Sequence, residues 1–180
     1  MRKITLRKGF TLVELLIVIA LLGALAIGLI GALDPFEQLK KGTDTGTRDL
    51  VNQVQTAVLR YYATTNKMPW PDGEDDDFTE LDLATEPVAT AIENMIAAGE
   101  MKSNFTEIYS GSLNKVWVSF TPMTDTTSTQ VRVCYAPGSK SFQVDPATKY
   151  LKDGTENTGE AAAACKSTTG GEAQCFWCVQ

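Results

Sequence analysis

The sequence predicts an α+β protein: one long N-terminal helix, hydrophobic in its first half and amphipathic in its second, packed on a small antiparallel β-sheet head. Three observations predict it. An apolar run covers Phe10 to Leu33. Apolar residues then recur at helical spacing up to Tyr62, and short alternating segments separated by turn residues fill much of the remainder.

The chain has 180 residues, 43% of them apolar, enough for one globular domain and an anchoring segment. Its organisation reads as a basic leader over 1–9, a transmembrane helix over 10–33, an amphipathic helix half over 34–66 and a globular head over 67–180. The first nine residues carry Arg2, Lys3, Arg7 and Lys8 and no acid; removing these four cations from a chain of net charge −6 leaves −10. Such an acidic protein does not support nucleic-acid binding, which draws its affinity from Lys and Arg. There is no histidine, so the commonest general base is missing, and no catalytic motif stands out. The reading is of a non-enzyme that needs no cofactor and no metal.

As a helix, Phe10–Leu33 would be about 36 Å long, enough to span a bilayer core of about 30 Å. The basic flank stays on the cytoplasmic side and the head lies outside. A cleaved secretory signal peptide has a shorter apolar core and a small-residue site beyond it, whereas Asp34-Pro35-Phe36-Glu37 follows here. A plain anchor explains length and charge but leaves Glu14 unexplained, since a carboxylate inside an apolar span costs about 3 kcal/mol. A buried core helix does not need the basic leader.

The string Gly9-Phe10-Thr11-Leu12-Val13-Glu14 resembles the class III signal of type IV prepilins and pseudopilins. The motif resemblance covers about residues 1–40; beyond it the architecture alone is similar. It implies cleavage between Gly9 and Phe10 by prepilin peptidase, N-methylation of Phe10, and an assembly role for Phe10, Thr11 and Glu14. The Glu14 carboxylate would pair with the Phe10 α-amine of a neighbour or its own, offsetting desolvation and setting axial register. The family often has a proline midway along this helix; here Gly28 and Gly31 stand in that region and Pro35 follows, so helix loosening is expected around Gly28–Pro35. Close helix packing is the plainer use of the glycines.

The resemblance further implies a structural subunit of a type IV pilus or pilus-like filament, with a pseudopilin of type II secretion or DNA uptake, or a minor or tip pilin with adhesive function, as the alternatives. Expected partners are copies of the chain and other pilins, the prepilin peptidase/methyltransferase, the inner-membrane assembly platform, and membrane lipid before assembly. The expected location is the cytoplasmic membrane, single-pass, then an extracellular pilus or periplasmic pseudopilus.

In 36–66, Leu50, Val51, Val54, Ala57, Val58, Tyr61 and Tyr62 follow helical spacing, with Gly42 and Gly46 as softening points and Met68-Pro69-Trp70-Pro71 as the stop. Asp72 to Asp77 is read as a solvated acidic loop, with a calcium site as the sharper option. A short helix is predicted over 86–98, with Thr85 as N-cap, Pro87 in its first turn and Gly99 as stop. Strands are predicted at Val116–Phe120, Gln130–Tyr135 and Ser141–Asp145. The tail from Gly154 has little regular pattern. Cys134, Cys165, Cys175 and Cys178 suggest two structural disulfides in an exported head, with three pairings open. A redox dithiol at Cys175-x-x-Cys178 lacks its usual helix context, and a four-cysteine zinc knuckle fits export poorly. Asn104-Phe105-Thr106 is read as a chance sequon.

Overall fold

The computed structural model describes residues 9–32, 34–71, 77–123, 129–157 and 175–180. The leader residues before Gly9, Leu33, most of the acidic loop and Cys165 lie outside them. The chain divides into two compact units, 1–38 and 39–180.

In the first unit, α1 (Leu12–Ala32) is helical without interruption. Helix α2 (Pro35–Thr65) begins there and runs on into the second unit. Its start has a local cause. Asp34 accepts the Glu37 N–H at 3.3 Å, and Pro35 sits at the first helical position, where a missing N–H costs nothing. Gly42 and Gly46, read as softening points, are carried within the helix.

The second unit is built on α2 and a five-stranded antiparallel sheet of order β1-β2-β3-β5-β4. The strands are β1 (Phe78–Asp82), β2 (Val116–Thr121), β3 (Gln130–Tyr135), β4 (Thr148–Tyr150) and β5 (Phe176–Val179). Strands β2 and β3 pair over six positions, from Val116↔Tyr135 to Thr121↔Gln130. Alternation then sorts the side chains between faces. Val116, Val118, Phe120, Val131, Val133 and Tyr135 join one core with Leu50, Val51, Val54, Ala57 and Val58 of α2. Cys134, Phe176 and Cys178 form a smaller cluster with Trp117 and Tyr150.

Helix α3 (Val88–Ala97) adds Val88, Ala91, Ile92 and Met95 to the main core, the face its spacing predicts. Gly99 ends it at φ +79°, and the Glu100 N–H reaches Met95 O while the Gly99 N–H reaches Ile96 O. That pair of bonds is a Schellman cap, which requires the left-handed backbone glycine adopts readily. The helix start differs from expectation. Pro87, not Thr85, is the N-cap, and the Glu86 carboxylate accepts the Thr90 N–H and hydroxyl.

Two further expectations are corrected. Ser141–Asp145 is not a strand: Lys140–Gln143 forms a short helix, α5. The preceding Gly138 and Ser139 N–H groups bond to Asp44, which holds the chain in a turn, and the Gln143 N–H closes on Ser139 O. The tail is not irregular throughout, because Phe176–Val179 forms β5 between β3 and β4. Helix α4 (Phe105–Ile108) buries Phe105 and leads into a 3-10 turn at Leu113–Lys115.

Candidate functional site: the N-terminal signal

Gly9 and Phe10 lie outside any helix, and Phe10 is 77% exposed. The first helical bond of α1 runs from the Leu15 N–H to Thr11 O. Thr11 therefore sits at the N-cap and Glu14 three residues beyond. Their side chains bond reciprocally. The Glu14 N–H donates to Thr11 Oγ1 at 3.2 Å, while Glu14 Oε2 accepts the Thr11 N–H at 2.8 Å and the Thr11 hydroxyl at 2.6 Å. This is a capping box, in which two backbone donors left over at the helix start satisfy each other's needs through side chains. Pairing Glu14 with the Phe10 amine, as expected from the sequence, leaves out these capping bonds to Thr11. The Thr-x-x-Glu spacing before an apolar run is the signal that reveals them.

From Leu12 to Gly31 the helix is long and apolar enough to cross a membrane, and none of that stretch is buried within the chain. At 21 residues α1 is about 31 Å long, matched to a bilayer core. Leu12, Leu25, Ile27 and Ile30 are each at least two-thirds exposed. A surface of this kind needs lipid or other helices around it. Gly28 and Gly31 lie inside α1, and a methyl group added at either would meet nothing within 4 Å.

The cysteines serve the head. Cys134 and Cys178 form a disulfide across adjacent strands, with a Cα–Cα distance of 4.1 Å. Antiparallel register brings opposite Cα atoms this close at non-hydrogen-bonded pairs. Cys175 is also disulfide-bonded. Cys178 is thus engaged with a strand rather than with Cys175, which removes the redox-dithiol reading. Among the described residues no cluster of His, Cys, Asp or Glu is placed to hold a metal.

A second polar cluster, unforeseen in the sequence, fastens α2 to the head. The Arg48 guanidinium pairs with Asp145 at 2.8 Å and donates to the Tyr135 hydroxyl at 3.1 Å. It stacks over Phe142 at 4.1 Å and Trp177 at 4.8 Å. One turn earlier, Asp44 accepts the Gly138 N–H at 2.9 Å, the Ser139 N–H at 2.8 Å and the Ser139 hydroxyl. Burial pushes the Tyr135 phenol up to about 12, partly countered by Arg48. The Ala147 N–H and then Arg48 hold the Asp145 carboxyl below its usual range. These groups satisfy one another and tie α2 to the sheet and to α5.

The model of the prokaryotic N-terminal methylation motif matches residues 5–30. Comparison with curated proteins and with solved structures gives no match. The matched segment contains Gly9, Phe10, Thr11, Glu14 and most of α1. The chain thus carries the prokaryotic N-terminal methylation motif, the class III signal of type IV pilins and pseudopilins, at the start of an apolar helix, and its fold is α+β and pilin-like, a helix packed on a small antiparallel sheet.

Proposed function

We propose that the chain is a structural subunit of a type IV pilus or pilus-like filament. Prepilin peptidase cuts between Gly9 and Phe10, the new α-amine is methylated, and the subunit waits in the cytoplasmic membrane with its head outside. An assembly platform then moves it into a fibre, where α1 packs among copies of itself and related subunits. The observation that carries this reading is the pairing of a matched methylation motif with a helix whose apolar side chains are exposed along its length. Glu14 and Phe10 supply register: a carboxylate among packed apolar helices is tolerated when a positive amine pairs with it. Gly28 and Gly31, with Pro35 beyond, are the points at which α1 would loosen on packing, since glycine disfavours helix interiors by about 1 kcal/mol relative to alanine.

The test is co-expression of the full chain with prepilin peptidase, followed by N-terminal sequencing and recovery of sheared fibres. Maturation at Phe10 and an abundant fibre subunit support the reading. A trace amount in fibres marks a minor or tip subunit, restriction to the periplasm marks a pseudopilin, and absence from every fibre contradicts it.

A further inference from the structure

A peptidase takes its scissile peptide in an extended form, because a helical peptide has its carbonyl bonded and its backbone enclosed. The Gly9–Phe10 peptide lies two residues before α1, so the position of the helix start decides whether it is available. Apolar surroundings favour lengthening a helix, since each unpaired backbone group there is costly. Phe10, Leu12 and Val13 offer no side-chain group that would end it. The reciprocal bonds between Thr11 and Glu14 do: they occupy the Thr11 and Glu14 N–H groups with side chains and fix the start at Leu12.

We propose that Thr11 is a positioning residue for leader removal, which keeps the Gly9–Phe10 peptide outside the helix by capping α1 at Leu12. The proposal rests on the processing reading above. Its direction follows from capping preferences. Without the Thr11 hydroxyl, the nearest upstream residue that caps about as well as threonine is Gly9. A start at Gly9 draws Phe10 into the first turn and the scissile peptide with it.

The experiment measures initial cleavage rates of the full-length chain by prepilin peptidase in membranes, over a range of substrate concentrations. Wild type, Thr11→Val and Thr11→Ser are compared. Thr11→Val keeps the shape and removes the hydroxyl; Thr11→Ser keeps the cap. Loss of the cap lowers the population with an available peptide, so kcat/KM falls by up to about five-fold for Thr11→Val, carried by a rise in KM at unchanged kcat. Thr11→Ser restores the wild-type value. Equal KM for wild type and Thr11→Val overturns the proposal, as does a serine variant as slow as the valine variant. A wild-type chain left uncut between Gly9 and Phe10 overturns the processing reading itself, and the proposal with it.

Discussion

Glu14 and Arg48 show how differently a charge is managed at two places in one chain. Glu14 stands in the first turn of an apolar helix, and among the described residues its partners are the N–H and hydroxyl of Thr11. Replacing it with alanine removes the charge proposed to set register. Glu14→Ala is expected to mature at Phe10 yet yield far fewer sheared fibres than the wild-type chain. Wild-type fibre yield from this variant would remove Glu14 from assembly. Arg48 is partly buried and fully engaged. Arg48→Ala strands Asp145 and the Tyr135 hydroxyl and is expected to destabilise the head by about 2 kcal/mol, read as a lowered midpoint in urea. Arg48→Lys recovers less than half, because an ammonium cannot bond both groups while stacked on Phe142 and Trp177. The pH dependence follows from the same cluster. The Asp145 carboxyl is depressed in the folded head, so its stabilisation is present above the ordinary carboxylate range and is lost as pH falls below about 4. Tyr135 is raised, so its contribution is present below about pH 10 and is lost as pH climbs through about 12. Urea midpoints across pH should decline at both ends, and Asp145→Asn should flatten the acid limb.

Among the elements, those with a long repeating pattern are legible in the sequence and those completed by distant partners are not. Helix α2 is legible because Leu50, Val51, Val54, Ala57 and Val58 recur with its turns, and each is at most 1% exposed. Leu50→Ala is accordingly expected to cost 2–5 kcal/mol in head stability, measured by denaturant unfolding. Strands β2 and β3 are legible for the same reason at period two. Strand β5 is not: it has four residues, and its alternation, with Trp177 against the main core and Cys178 in the smaller cluster, has meaning only beside β3. The Ser141–Asp145 segment shows the converse. Its composition imitates a strand, but bonds from Gly138 and Ser139 to Asp44, over 90 residues away, turn the chain into α5. The N-terminal signal is legible because Gly9, Phe10, Thr11 and Glu14 lie in one contiguous stretch of chain. The Arg48 cluster is hidden because its partners lie 87 and 97 residues away. The Cys134–Cys178 bridge fixes β5 in place across a separation of 44 residues, a closure worth about 4 kcal/mol on the chain-entropy account. Peptide mapping without reduction should recover that pair, and Cys134→Ala with Cys178→Ala should lower the thermal midpoint while leaving leader cleavage unchanged.

At the scale of the whole molecule the two units have opposite requirements. Residues 39–180 hold their own core, with α2, α3, β2 and β3 contributing buried side chains and β1 and β5 packing against them. The helix α1 has an apolar surface and no such core. A fragment beginning at Leu39 is therefore expected to be soluble without detergent, and the full chain to fractionate with membranes. A full chain that stays in the aqueous fraction would mean that α1 finds its cover elsewhere. The central claim is that the chain is cut at its N-terminal signal and assembled through the helix thus exposed. Intact mass with N-terminal sequencing of the chain co-expressed with prepilin peptidase tests it most directly. The account predicts a mature chain that begins at a methylated Phe10; a product that still begins at Met1 would contradict it.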